Sequence, residues 1–248
     1  MKKIGWQLRT ALALILASVV LYLLYYTIFR EEPAHIYQEV VAHIAFLPMH
    51  VLIITLIIHG LLEMRDKRAL LEKLNMVIGI FFSEVGSRLL ARMIRFDSER
   101  EQTRADFKIG KDWTDKDFKR AAANLAGRKF DLSVDVASLR ELKDFFREKQ
   151  GFLLRLLENS NLLEHDAFTD LLWKVFHIAE ELEFRDDPGM SPAADLAHLE
   201  ADIKRVYASL IGEWLSYMRH LKVNYPYLFS FALRTSPFDV EASVVIEE

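Results

Sequence analysis

Two apolar runs, residues 11–29 and 40–64, stand within the first quarter of the chain with only a short polar link between them. A helix needs about 20 predominantly apolar residues to cross the hydrocarbon core, where its backbone finds no water to bond. Both runs reach that length, so the sequence predicts a transmembrane helical hairpin over residues 1–64. The opening Met1-Lys2-Lys3 is how a signal peptide begins. The apolar run is longer than the roughly 7–15 residues of a cleaved leader and ends in Tyr25-Tyr26-Thr27-Ile28-Phe29-Arg30, without a small-residue cleavage site, so a retained span is expected.

Basic residues set the orientation. Lys2, Lys3 and Arg9 precede the first run and Arg65, Lys67, Arg68 and Lys73 follow the second, whereas the link 30–38 sets one arginine against Glu31 and Glu32. Positive flanks stay inside, which puts both termini in the cytoplasm of a cell with a plasma (inner) membrane, the prokaryotic case being the simplest. Trp6, Tyr25, Tyr26 and Tyr37 fall where amphipathic rings favour the headgroup layer. A net charge of -4 offers no basic field for nucleic acid. The chain has no cysteine, which removes disulfides, thiolate metal sites and cysteine nucleophiles.

Beyond the hairpin the pattern is helical throughout, so the fold class is all-α: a transmembrane hairpin followed by a cytoplasmic helical bundle. Residues 65–95 form a juxtamembrane amphipathic helix, with Leu70, Leu71, Leu74, Val77, Ile78, Phe81, Phe82, Val85 and Leu89 at three- and four-residue steps. The charged stretch 96–113 is expected to be a hinge or loose segment. Residues 114–238 make the bundle, and 239–248 a tail. Thr114 with Asp117 spells a capping signal for a helix ending near Gly127. A helix at 134–149 is expected to break at Gln150-Gly151 before a short one at 152–158. The best stripes are Phe168, Leu171, Leu172, Val175, Phe176, Ala179 and Leu182, and then Leu196, Leu199, Ile203, Val206, Tyr207, Leu210, Trp214, Met218 and Leu221. Asp186-Asp187-Pro188-Gly189 turns the chain between them, Ser191 caps and Pro192 starts the second, and the two helices should pair antiparallel at the centre.

Four sets of residues carry the functional candidates. Glu39, His43 and His50 share one face of the second run, and ionisable groups inside a membrane are costly enough to suggest a pore, a proton relay, a metal or a haem. Neutral imidazoles tucked between helices account for the same face. Gly79, Ser83, Gly86 and Ser87 are spaced for close helix-helix contact, within the chain or with a second copy or protein partner. Arg88, Arg92 and Arg95 suit anionic lipid headgroups, or a solvated face. His177, Glu181, Asp195, His198 and Asp202 have metal-ligand chemistry on facing helices, but they miss the Glu-x-x-His spacing of di-iron bundles, and four-residue ion pairs explain them as well.

The segments 46–90, with Leu74-Asn75-Met76-Val77-Ile78-Gly79 and Phe81-Phe82-Ser83-Glu84-Val85-Gly86, and 153–238, with Tyr225-Pro226-Tyr227-Leu228-Phe229-Ser230, resemble a family of prokaryotic two-span membrane proteins without an assigned activity. The resemblance covers about half the chain. It implies the same architecture and brings no substrate, cofactor or catalytic residue.

Phosphate-loop, dinucleotide, serine-hydrolase and zinc-protease signatures do not occur in the sequence. The expected role is therefore interaction, scaffolding or signalling at a lipid bilayer, with no cofactor. Two alternatives stand beside it: a subunit of an oligomeric channel or transporter, and a metal- or haem-binding membrane protein using the second-span histidines.

Overall fold

A computed structural model describes residues 15, 16, 18–21, 23–25, 27, 33–159, 162 and 166–245; for 33–36, 38, 39, 42, 68 and 69 it gives helical backbone alone. Two compact units result, Met1–Asp66 and Lys67–Glu248.

In the first unit the described residues between 15 and 27 are helical. Lys2, Lys3, Trp6, Arg9, Tyr26 and residues 30–32 of the link lie outside the described residues. Helix α1, Pro33–Phe81, passes through Pro48 without ending, since losing one N–H removes one rung of a long ladder. Among the described residues it begins the one helical stretch, from His43 onward, long and apolar enough to cross a membrane, and none of its most apolar window is buried.

The second unit is built on residues of α1 from Lys67, a π-turn Phe82–Gly86, α2 (Ser87–Met93) and a 3-10 turn Ile94–Phe96. Helices α3 (Arg100–Phe107), α4 (Asp115–Gly127), α5 (Val136–Leu157), α6 (Asp166–Glu183), α7 (Ala193–Asn224) and α8 (Pro226–Arg234) follow. The apolar face expected at 65–95 is covered by this unit's own helices: Leu74, Ile78, Phe81, Phe82, Val85 and Leu89 are all buried. Leu71 instead faces out. Adjacent Phe81 and Phe82, where the π-turn begins, are both buried. Phe81 meets Phe168 edge-on at 5.2 Å, and Phe82 meets Trp214 at 5.5 Å and stacks on Tyr217 at 4.9 Å. At Gly86 the rings crowd the backbone so closely that a Cβ would come within 2.6 Å of Phe82.

Antiparallel packing orders the bundle. Lys174 reaches Ser209 at 2.9 Å and Arg185 reaches Asp195 at 2.7 Å, so α6 and α7 run in opposite directions, as their stripes predict. Arg140 bonds Asp187 and Arg147 bonds Glu183, which sets α5 antiparallel to α6. Gly212 faces Leu125 while Arg219 pairs with Asp115, giving the same sense for α4 and α7. Thr114 does open α4: its N–H and hydroxyl both donate to Asp117 Oδ2 at 2.7 Å.

Three sequence expectations need correction. The stretch 96–113 is not loose: it holds α3, and Phe96, Asp97, Thr103, Phe107 and Ile109 are buried. Its charges hid these buried side chains, several of whose partners lie far away in sequence. An antiparallel bridge of Asp97 with Leu132 secures it, Ser98 N–H bonding Asp131 O at 2.9 Å and Ser133 N–H bonding Phe96 O at 2.8 Å. Helix α5 also runs unbroken through Gly151, because Leu153 and Leu156 continue the buried stripe of Leu139, Leu142, Phe145 and Phe146. Packing outweighs the helix cost of one glycine, about 1 kcal/mol. Finally, Pro192 rather than Ser191 holds the N-cap position of α7. Phe238, at the end of the bundle, is buried; in the tail Asp239 pairs with Lys108 at 2.9 Å, whereas Val244 and Val245 are exposed and 246–248 lie outside the described residues.

Candidate functional site

A groove of about 560 Å³ opens within the second unit, between residues 75–87 and the helices α7 and α8. Gly79, Ser83 and Ser87 lie along one wall at four-residue steps, and Phe82, Trp214 and Tyr217 supply aromatic surface. Pro226 starts α8 at the position where its missing N–H leaves no helical bond unmade, and that helix turns Leu228 and Phe231 into the groove. Burial pushes the Tyr217 phenol up and the His220 imidazole down, in both cases favouring the neutral form. The groove is an apolar slot with Glu84 as the charged group on its lining. Of the small residues expected for helix contact, Gly79, Ser83 and Ser87 thus face the groove, while Gly86 is spent on internal packing against Phe81 and Phe82.

The arginines are partly committed inside the unit. Arg92 lies over the Phe145 ring at 4.3 Å and donates to Arg88 O at 3.0 Å, with burial lowering its guanidinium from the ordinary value. Arg95 pairs with Glu141 at 2.6 Å. In the first unit His43 and His50 are exposed on α1, the side chain of Glu39 lies outside the described residues, and His59 meets Glu63 at 3.1 Å.

The five metal-ligand candidates separate into two groups. Arg185 takes Asp195 in a two-pronged pair at 2.7 and 2.9 Å and Glu181 at 2.6 Å, and these bonds hold both carboxyls below the usual range. The other three converge. Asp202 Oδ2 lies 3.2 Å from His177 Nε2 and 3.4 Å from His198 Nε2, and the three ligand atoms fall within 4.8 Å of one another. Asp202 is 1% exposed and the two imidazoles are about half exposed.

One polar centre was not legible in sequence. Asp97 Oδ2 accepts from the Thr103 hydroxyl at 2.6 Å and the Tyr207 hydroxyl at 3.2 Å, while Oδ1 accepts from Glu99 N–H at 2.9 Å. Arg128 closes the shell, donating to Thr103 at 2.8 Å and pairing with Asp106. Burial first, and the Asp97 charge second, push the Tyr207 phenol far above its ordinary value. The group is a hydrogen-bonded structural core. The one sequence signal that could have found it is the hydroxyl-bearing Tyr207 within the apolar stripe of α7.

Family models match nearly all of the chain: the N-terminal helical domain of MJ1433 over residues 2–62, and the C-terminal helical domain of the uncharacterized protein MJ1433 over residues 70–234. The protein titled "Uncharacterized protein MJ1433" from Methanocaldococcus jannaschii is 42% identical over 243 residues, covering 98% of this chain and 97% of that protein. The likeness therefore extends well past the half of the chain that the motifs carried. No solved structure matches.

Proposed function

We propose that this chain, which belongs to the MJ1433 family of helical proteins, is an integral membrane protein that works by interaction rather than catalysis. One observation carries the reading: along α1 from Val41 to Met64 the large apolar side chains, among them Phe46, Leu47, Ile54, Leu56, Ile57 and Leu61, are exposed on every side of the helix. Soluble proteins rarely leave so large a contiguous apolar surface in water, and a bilayer covers it. A second apolar run at 11–29 supports a hairpin, and the basic flanks favour a cytoplasmic side for both termini and the Lys67–Glu248 unit. The interaction part of the reading draws on the groove, where Gly79, Ser83 and Ser87 leave room for a second copy of the chain to bring a helix close.

Alkaline carbonate washing of membranes tests the first point, and the expected result is full retention. Glu32→Cys and Ser191→Cys, each the sole thiol of its variant, test sidedness with an impermeant maleimide. Only Glu32→Cys should react in intact cells. Carbonate release overturns the membrane reading, and external labelling of Ser191→Cys overturns its orientation. For the interface, Ser83→Cys should give a disulfide-linked dimer in native membranes, and a strict monomer by light scattering in mild detergent removes the second copy.

A further inference from the structure

From the convergence of His177, His198 and Asp202 we infer a binding site for one divalent transition ion of the zinc class, held between α6 and α7. Each ligand has a structural reason to be there. His198 and Asp202 are four residues apart on α7 and so share a face, and His177 comes to them across the antiparallel contact with α6. A carboxylate buried to 1% exposure needs a cationic or donor partner for each oxygen. Arg205 pairs with Oδ1. Oδ2 is left to two imidazole Nε2 atoms, groups that carry charge only when protonated and that are themselves common metal ligands.

The distances fit an ion. Zinc bonds imidazole nitrogen and carboxylate oxygen at about 2.0–2.2 Å, so neighbouring ligand atoms around a tetrahedral centre stand roughly 3.3–3.6 Å apart. The observed separations from Asp202 Oδ2 are 3.2 and 3.4 Å. Half exposure lets the imidazoles rotate to set the third edge and leaves an entry path from solvent. Imidazole nitrogen with one carboxylate suits zinc, iron, cobalt and nickel rather than magnesium or calcium. Neighbouring charges support the selection: Arg185 holds Glu181 and Asp195, leaving a set of three donors, while Arg205 is charge-paired with Asp202 Oδ1 without a hydrogen bond to it. Three protein ligands leave a fourth position for water, the open arrangement of exchangeable sites rather than the closed one of purely structural zinc.

The test uses the tag-free full chain in detergent micelles, stripped with chelator and titrated with Co²⁺. One equivalent should bind, with the visible absorption of four-coordinate cobalt, and Zn²⁺ should displace it. His177→Gln and His198→Gln should each weaken binding by about a hundredfold or more, since even outer-shell partners are worth 10–100-fold. Both side chains are half exposed, so these variants keep the wild-type helical circular dichroism, which Asp202→Asn need not. Failure of the wild-type chain to bind Co²⁺ or Zn²⁺ stoichiometrically overturns the site, leaving a hydrogen-bonded cluster only. Undiminished binding by the His177→Gln/His198→Gln double variant overturns it equally, by placing the ion elsewhere. Neither outcome bears on membrane integration.

Discussion

The Tyr207 hydroxyl donates to Asp97 Oδ2 at 3.2 Å across 110 residues of sequence. This bond ties the central helix α7 to the segment that leaves α2, and with Thr103 and Arg128 it anchors a stretch whose composition alone reads as loose. Removing the donor and removing the acceptor should therefore differ. Tyr207→Phe deletes one bond and should cost about 1 kcal/mol, while Asp97→Ala strands the Thr103 and Tyr207 hydroxyls and the Glu99 N–H and should cost about 3 kcal/mol. Denaturant unfolding followed by tryptophan fluorescence measures both, and equal losses would contradict the shared-acceptor account.

Glycines give a matched pair. Gly86→Ala would push a methyl to 2.6 Å from Phe82 and 2.8 Å from Phe81, rings held on all sides by the core. It should destabilise by roughly 1–3 kcal/mol, the usual range for overpacking. Nothing lies within 4 Å of a Cβ at Gly127, so Gly127→Ala should be neutral or stabilise by up to about 1 kcal/mol. Thermal melts of the two variants in the same micelles should move in opposite directions or leave Gly127→Ala unmoved.

The Arg140–Asp187 pair predicts a pH dependence. Two-pronged bonding to Arg140, then the Gly189 N–H, depress the Asp187 carboxyl from 3.8 to about 2. A carboxyl depressed in the folded state contributes stability above its unfolded value, and that contribution is lost as pH falls through the folded one. Asp187→Asn should thus lower the melting temperature at pH 7 and converge with wild type between about pH 4 and pH 2. A gap that stays constant over that window would assign the effect to packing at the turn instead. Because the pair is exposed, the gap should be small and shrink with salt.

Lys143 is a buried cation that caps the turn following α6. Its ammonium donates to the carbonyl oxygens of Arg185 and Asp186, just past the last turn of α6. Lys143→Met keeps the chain length but leaves those carbonyls and the helix dipole unanswered, for an expected cost of about 1–2 kcal/mol. Amide exchange should quicken first near residues 180–187 if the cap is local. Uniform quickening across the bundle would point to lost side-chain packing.

Periodicity made much of the second unit legible. Stripes at three- and four-residue steps identify α6 and α7 and their inward residues because a helix that must bury one face repeats it every turn. The turn at Pro188 and the cap at Thr114 were also readable, being short-range backbone chemistry. What failed was long-range: Gly151 looked like a stop because the packing that carries α5 through it belongs to other helices, and 96–113 looked loose because the partners of Asp97 and Thr103 are Tyr207 and Arg128.

The candidate sites divide in the same way. Spacing placed His198 and Asp202 on one face, and His177 and Glu181 on another, but it gave no means of choosing among five donors. Only the antiparallel seating of α6 on α7, together with the grip of Arg185 on Glu181 and Asp195, brought three of them together and drew two away. The small-residue stretch behaved likewise: the π-turn at Phe82–Gly86 sent Gly86 inward and left Gly79, Ser83 and Ser87 to the groove. By itself the sequence determined an all-helical chain with an apolar N-terminal part, since helical periodicity and the length of an apolar run are local properties. Which polar groups meet, and which stay apart, was decided by tertiary packing, because a side chain's partner depends on the register and direction of a neighbouring helix, and neither is written within one turn of the residue itself.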